Sequence, residues 1–263
     1  MEEILKIVTQ NLNKTEEKNI NEYKNKVQAH IYAFQEVKRE NNSGITDIHI
    51  LDEDNNTTIT IEKDSTEVEQ SWNKVFNKTH TYPWFEFRSG YWKEAELTYR
   101  DKKIKIINIH LSPNKNYNEQ LRYVLTKRLY DLEKKNNKYV LLLGDFNTSE
   151  YHQASKPNTW AQSTYHTITD IFGFKELFAK NEDLENPHYT FWKYKKQKID
   201  HIFVSDELFE LLEEWTYCVE YIDEVNRNNK KLKNDISSNI KKWGLPPITD
   251  HSGILLTIGK QTT

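Results

Sequence analysis

The nine residues Tyr139-Val140-Leu141-Leu142-Leu143-Gly144-Asp145-Phe146-Asn147 join an uninterrupted apolar run to a carboxylate and an amide. The run reads as a buried central strand, since both of its faces are apolar. Alternation then puts Asp145 and Asn147 on one side and Phe146 in the core. A carboxylate and an amide at the end of a buried strand are expensive to desolvate unless they gain partners, and a metal-bound phosphate would supply them. The ordinary alternative is a turn that simply follows a strand.

Other short or alternating apolar runs surround this one, over Ile4–Asn11, Ile31–Phe34, Ile45–Leu51, Thr57–Ile61, Ala95–Tyr99, Ile104–Leu111, Ile199–Val204 and Ser252–Ile258. All are expected to be strands. Helical spacing is clearest over Tyr117–Lys135, where Leu121, Leu125, Leu129 and Leu132 share one face. Helices are also expected over Ile20–His30, Thr66–Phe76 and Asp206–Trp215. Strands interleaved with a few helices predict an α/β (α+β) chain of layered sheets covered by helices.

The chain has 263 residues, 36% hydrophobic and 13% aromatic, enough for a sizeable core. Nothing in the middle reads as a linker, so one domain over 1–263 is expected. With 37 basic and 40 acidic side chains the net charge is −3, which neither demands nor excludes a polyanionic partner. Cys218 is the only cysteine, which rules out an intrachain disulfide or a thiolate cluster. The segment Asn226–Lys242 is rich in Asn and Lys and reads as a solvated loop or weak helix. The first residues lack the basic and apolar pattern of a signal peptide, and no stretch approaches the ~20 apolar residues of a membrane span. A cytoplasmic protein with no membrane partner is expected, and no protein partner is indicated.

Several polar residues end or interrupt the apolar runs. Asn11 ends the first, Glu36 comes at the end of the second, and His110 lies in Ile106-Ile107-Asn108-Ile109-His110-Leu111. Taken singly, each has an ordinary reading as a turn former, a solvated acid or a structural histidine. Ile199-Asp200-His201 and Thr249-Asp250-His251 repeat the placement of an acid beside a histidine at the edge of an apolar strand. Carboxylates, amide oxygens and imidazoles without thiolates suit a hard cation, magnesium or manganese rather than structural zinc.

Taken in order, Gln10-Asn11, Gln35-Glu36, Asn108-Ile109-His110-Leu111, Gly144-Asp145-Phe146-Asn147, Ile199-Asp200-His201 and Asp250-His251 resemble the signature set of the endonuclease/exonuclease/phosphatase superfamily, the deoxyribonuclease-I-like proteins. The resemblance spans the chain from Asn11 to His251. It implies a four-layer α/β sandwich, two mainly antiparallel sheets flanked by helices, and a magnesium- or manganese-dependent phosphodiester hydrolase. It further implies Glu36 as principal metal ligand with Asn11 and Asp250 at or beside the shell. Asp145 and Asn147 would position water and phosphate. His251, oriented by Asp200, would serve as general base or as a donor to phosphate. His110 would be a general acid or phosphate contact, with Glu94 as the partner acid that the deoxyribonuclease branch places beside this histidine.

The stretch Tyr189-Thr190-Phe191-Trp192-Lys193-Tyr194-Lys195-Lys196-Gln197-Lys198 interleaves aromatic and basic residues just before Asp200. Such a stretch stacks bases and neutralises backbone charge, with Trp192 and Lys198 as contacts, or else packs its rings on a sheet edge. Many relatives have Arg at the position of Lys198; Lys keeps the charge without the bidentate geometry. The motifs of the inositol-phosphatase branch, a Trp-containing form of Gly-Asp-x-Asn and a Cys-Asp-Arg, match neither Leu143-Gly144 nor Ile199-Asp200-His201. A nucleic-acid substrate is therefore the leading expectation. A small-molecule or lipid phosphoesterase and a non-catalytic nucleic-acid-binding module are the alternatives.

Overall fold

The computed structural model describes residues 4–12, 17–36, 48–49, 57–61, 69–71, 81–82, 85–86, 92–111, 115–147, 164–177, 199–218, 240–241, 249, 251 and 253–259. Asp250, Trp192 and Lys198 lie outside them, as do the rest of Tyr189–Lys198 and most of Asn226–Lys242.

In chain order the elements are β1 (Leu5–Asn11), α1 (Glu17–Val27), β2 (Ile31–Gln35), β3 (Ile48–His49), β4 (Thr57–Ile61), β5 (Glu69–Ser71), β6 (Thr81–Tyr82), β7 (Phe85–Glu86), β8 (Trp92–Tyr99) and β9 (Lys102–His110). They continue with α2 (Lys115–Lys134), β10 (Tyr139–Asp145), a π-helical turn (Thr167–Ile171), β11 (Lys175–Glu176), β12 (Asp200–Val204), α3 (Asp206–Phe209), β13 (Leu212–Cys218), β14 (Ile240–Lys241) and β15 (Gly253–Ile258). One sheet has the order β14-β13-β15-β1-β2-β4-β3 and the other β11-β12-β10-β9-β8-β5, with β6 and β7 as a separate pair. The parallel pairings are β1–β2, β9–β10 and β13–β14, and the remaining ones are antiparallel.

Alternation sorts the buried apolar residues of the described strands into three layers. Leu5, Ile7, Ile31, Ala33, Ile104, Ile106, Leu141, Leu143, Ile202 and Ile254 face inward and fill the space between the sheets. Val8, Tyr32, Phe34 and Leu255 face outward beneath α1, which contributes Tyr23 and Val27. Ile107, Ile109, Val140, Leu142 and Phe203 face outward beneath α2, which contributes Leu125, Leu129 and Leu132. The result is the expected sandwich, helix on sheet on sheet on helix. Among the described residues, no helix is long and apolar enough to cross a membrane.

Two expected helices are corrected. Within Thr66–Phe76 the described residues Glu69–Ser71 form β5, paired with the edge of β8. Asp206–Trp215 gives only one helical turn, α3, before the chain enters β13 and pairs with β15. The register shifts between Leu212 and Glu214, and this bulge breaks the alternation by which a strand is read. Pairing with an available edge outweighs local helical preference at both places.

Gly144 has a requirement that no other residue meets. Its φ is +130°, and a Cβ there would lie 2.0 Å from the backbone oxygen of Ile109. The close approach of β9 and β10 just before Asp145 depends on the missing side chain. Gly144→Ala is expected to destabilise the fold by about 2 kcal/mol or more, from strain and displaced backbone. Denaturant unfolding measures it, and an unchanged midpoint would show that the approach is not required.

Candidate active site

The inner faces of the strands turn from apolar to polar at one rim of the sandwich. On β1 the inward series runs Leu5, Ile7, Thr9, Asn11; on β9 it runs Ile104, Ile106, Asn108, His110; on β10 it runs Leu141, Leu143, Asp145. β12 runs the opposite way, so its inward series reaches the same rim at its beginning, with Asp200. Register completes the alignment. Asp145 is opposite His110 across the parallel β9–β10 pair and opposite Asp200 across the antiparallel β10–β12 pair.

A buried amide clasp lies just below the rim. The Gln35 side-chain amide donates to Asn108 Oδ1 (2.6 Å) and Thr9 Oγ1 (3.0 Å), while Asn108 Nδ2 donates to the Phe34 carbonyl (3.0 Å). The two bonds of Asn108 join the two sheets directly and fix how far apart their rims stand. Gln35 and Asn108 had no assigned role in the sequence. Their signal was a polar side chain at an inward position of an otherwise apolar strand.

Above the clasp, Asn11 Nδ2 donates to Asp145 Oδ2 (3.0 Å) and Glu36 Oε1 (3.1 Å). His110 Nε2 lies 3.7 Å from Glu36 Oε1 and 3.8 Å from Asp145 Oδ2. His251 Nδ1 lies 2.8 Å from Asp200 Oδ2. A carboxylate can only accept, so Nδ1 carries a proton and Nε2 is the ring's acceptor nitrogen when the imidazole is neutral. The His251 segment is itself tied to the end of β1. Gln10 Nε2 donates to the His251 carbonyl (3.1 Å), and Thr249 Oγ1 donates to the Asn11 carbonyl (2.8 Å).

Two residues reach the rim through left-handed backbone instead of strand alternation. Glu36 has φ +50°, which turns its side chain back towards Asn11 when alternation after Gln35 would aim it at α1. Asn147 has φ +46°; its N–H donates to Asp145 Oδ1 (2.9 Å), and its side-chain amide donates to the Leu111 carbonyl (2.6 Å). Phe146 is buried in the core beneath α2, as expected. A turn, not a continuing strand, therefore sets Asn147 beside Asp145. Each left-handed non-glycine residue costs roughly 1–2 kcal/mol.

Seven of the residues singled out in the sequence thus meet at one place: Asn11, Glu36, His110, Asp145, Asn147, Asp200 and His251. Glu94 does not join them. It is paired with Ile107, which faces α2, and its carboxylate accepts from Arg128 Nε (2.8 Å), Arg128 Nη2 (2.6 Å) and Trp92 Nε1 (3.0 Å). This buried ion pair fastens α2 to the sheet on the side away from His110.

Burial pushes the Asp145 carboxyl up to about 8, and the facing Asp200 adds to the rise; His251, the Asn147 N–H and the Asn11 amide oppose it. The donor atoms fit a cation. Glu36, His110 and Asp145 form one group of possible ligands and Asp145, Asp200 and His251 another, with ligand atoms within 4.8 Å of one another in each. These are oxygen-rich sets that share a carboxylate held in its costly ionised form only with help. A bound hard cation would supply that help.

No family's sequence profile matches the chain, and no curated relative does. Solved structures do. The endonuclease domain of TRAS1, a telomere-specific non-LTR retrotransposon, superposes with TM-score 0.63 at 16% identity, covering 99% of this chain and 100% of that one. TDP2 of D. rerio, in complex with a single-strand DNA product, gives 0.62 at 14% identity over 98% and 99%. The 3′ phosphatase NExo from Neisseria, bound to a product DNA hairpin, gives 0.60 at 16% identity over 97% and 100%. The chain therefore shares the fold of these solved structures.

The proton affinity of Asp145 has a consequence for stability. An acid whose folded pKa is raised stabilises the fold fully below its unfolded value near 4, and that stability is lost as pH rises through its folded value. In EDTA, stability is expected to fall from about pH 4 towards pH 8 through Asp145, and Asp145→Asn should remove this part of the slope. Magnesium should bind more tightly as pH rises over the same interval, because loading displaces the proton. Thermal melts across pH with and without magnesium follow both effects. A slope unaltered in Asp145→Asn would contradict the assignment.

Proposed function

We propose that this chain is a divalent-cation-dependent phosphodiester hydrolase acting on nucleic acid. The observation that carries the reading is the convergence of Asn11, Glu36, His110, Asp145, Asp200 and His251, from six strands or strand ends, around one buried carboxylate, that of Asp145. Glu36 and Asn11 would hold magnesium or manganese, with Asp250 beside them. Held there, the cation would stabilise negative charge developing on the phosphoryl and leaving oxygens.

The chain's own groups do the remainder. Asp145, oriented by the Asn147 N–H and the Asn11 amide, fixes the attacking water. Asp200 locks the His251 ring so that Nε2 faces the reaction; neutral, Nε2 takes the water's proton, and charged, it donates to a phosphate oxygen. His110 and the Asn147 turn bind the phosphate oxygens that do not react. Trp192 and Lys198 are proposed to stack on a base and to meet the backbone charge of the bound strand. The superposed structures favour this substrate class, since TDP2 and NExo are each in complex with a DNA product and the TRAS1 domain is an endonuclease.

A panel of plasmid DNA, single-stranded DNA, RNA, abasic duplex, sphingomyelin and inositol phosphates, each with magnesium or manganese, tests the proposal. Nucleic acid should be cut and EDTA should stop the cutting. Asp145→Ala and His251→Ala should each lose at least about a hundredfold in rate. Cleavage confined to lipid or inositol phosphates would replace the substrate class, and full activity in either variant would remove the site.

A further inference from the structure

On the reverse side of the strands that carry Asp145 and Asp200 lies a second polar cluster. His201 and Glu176 have fully buried side chains, and His201 Nδ1 contacts Glu176 Oε1. Tyr165 donates its hydroxyl to Glu176 Oε2 (2.7 Å). The His201 ring stacks on Phe203 (centroids 5.4 Å, planes 24° apart) and meets the edge of Phe146 (5.8 Å, 81°), and Tyr165 meets it from a third side (6.0 Å). Phe146 in turn packs on Phe203 at 5.1 Å.

The cluster is placed to act on the site. His201 follows Asp200 and faces the opposite way, and its register partner is Gly144, next to Asp145. Phe146 lies between Asp145 and Asn147, and its N–H donates to the Ile199 carbonyl (2.9 Å). The His201 ring thus leans on the one side chain whose two chain neighbours both belong to the site. A carboxylate this deep is stable only while hydrogen-bonded. Glu176 therefore fixes the ring, and the ring fixes Phe146.

We propose that Tyr165, Glu176 and His201 are positioning residues that set the Asp200–His251 and Asp145–Asn147 geometry from behind the sheet. The inference rests on the reading of the rim as a hydrolytic site. Loss of Glu176 would leave the His201 N–H without its acceptor and let the ring turn. Displacements well under 1 Å at Asp145 and Asp200 would follow, and misplacement of about 1 Å is worth roughly a hundredfold in rate.

The test uses the full chain with Glu176→Ala, Glu176→Gln and Tyr165→Phe, held well below each variant's melting temperature. Its first readout is the low-field proton resonance of His251 Nδ1–H, assigned by its absence in His251→Gln. That resonance is expected to shift or broaden in Glu176→Ala and to stay near the parent position in Glu176→Gln, which keeps an oxygen acceptor. Tyr165→Phe should lie between them. The second readout is kcat, expected to fall about tenfold to a hundredfold in Glu176→Ala with KM within about twofold, and to recover in Glu176→Gln. If Glu176→Ala does not fold, a shifted resonance and lowered kcat in Tyr165→Phe still support the proposal. A parent-like resonance in every variant that folds would overturn it, whether or not the protein cuts nucleic acid. A shifted resonance in a protein that cuts nothing would instead remove the hydrolase reading and keep the positioning one.

Discussion

Two acids, Asp145 and Asp200, are made direct neighbours by the antiparallel register of β10 and β12, and Asp145 is buried where water cannot screen the pair. Like charges opposite one another in a sheet are unfavourable, and low local polarisability strengthens the repulsion. Much of the rim can be understood as a response to that constraint. Asn11 and the Asn147 N–H donate to Asp145, His251 pairs with Asp200, and Gly144 allows β9 to bring His110 alongside. Burial first, and then the charge of Asp200 that these contacts leave uncompensated, raise the proton affinity of Asp145. A positive partner of either kind, proton or cation, would relieve the same deficit, and the ligand atoms around Asp145 lie close enough together to share one.

The inward series on each strand explains how much was readable beforehand. β10 announces itself by an apolar run that ends in Asp145, and β1 and β9 change from apolar to polar at Asn11 and at Asn108–His110, so the convergent residues coincide with visible breaks in pattern. The α2 face was equally plain, because Leu125, Leu129 and Leu132 recur at helical spacing and are buried. Glu36 was found through its motif and not through its geometry. A left-handed φ at a glutamate has no local signature, and alternation alone would have turned this side chain the wrong way. The bulge in β13 was hidden for a similar reason, since two exposed acids in succession resemble a helix surface more than a strand.

Glu94 shows where nearness in sequence misleads. The neighbouring residues in β8 face opposite sides of the sheet, and the register with β9 commits Glu94 to the α2 side however close His110 lies along the ladder. The carboxylate there has a complete set of donors from Arg128 and Trp92 and leaves no vacancy for a substrate. Its buried ion pair with Arg128 holds helix to sheet. Removing Arg128 alone would leave the buried Glu94 carboxylate without its ion pair, a change that typically costs about 3–5 kcal/mol.

The acid-histidine pairs at Asp200-His201 and Asp250-His251 look equivalent in the sequence, yet β12 divides the first between two faces. Asp200 points inward to His251, and His201 points outward to Glu176. Each histidine is thus held by an acid from elsewhere in the chain. An adjacent pair on a strand cannot hydrogen-bond across its own backbone, because alternation separates the two side chains. It can, however, connect two networks, one on each side of a sheet, through a single peptide unit. Strand β12 does this at the point where the rim requires its greatest accuracy, with the Asp200–His251 pair on one face and a fully buried aromatic and carboxylate cluster on the other. Rigidity behind the sheet is what a charged pair in front of it needs, since neither Asp145 nor Asp200 can relax away from the other without dragging the strand that holds both networks.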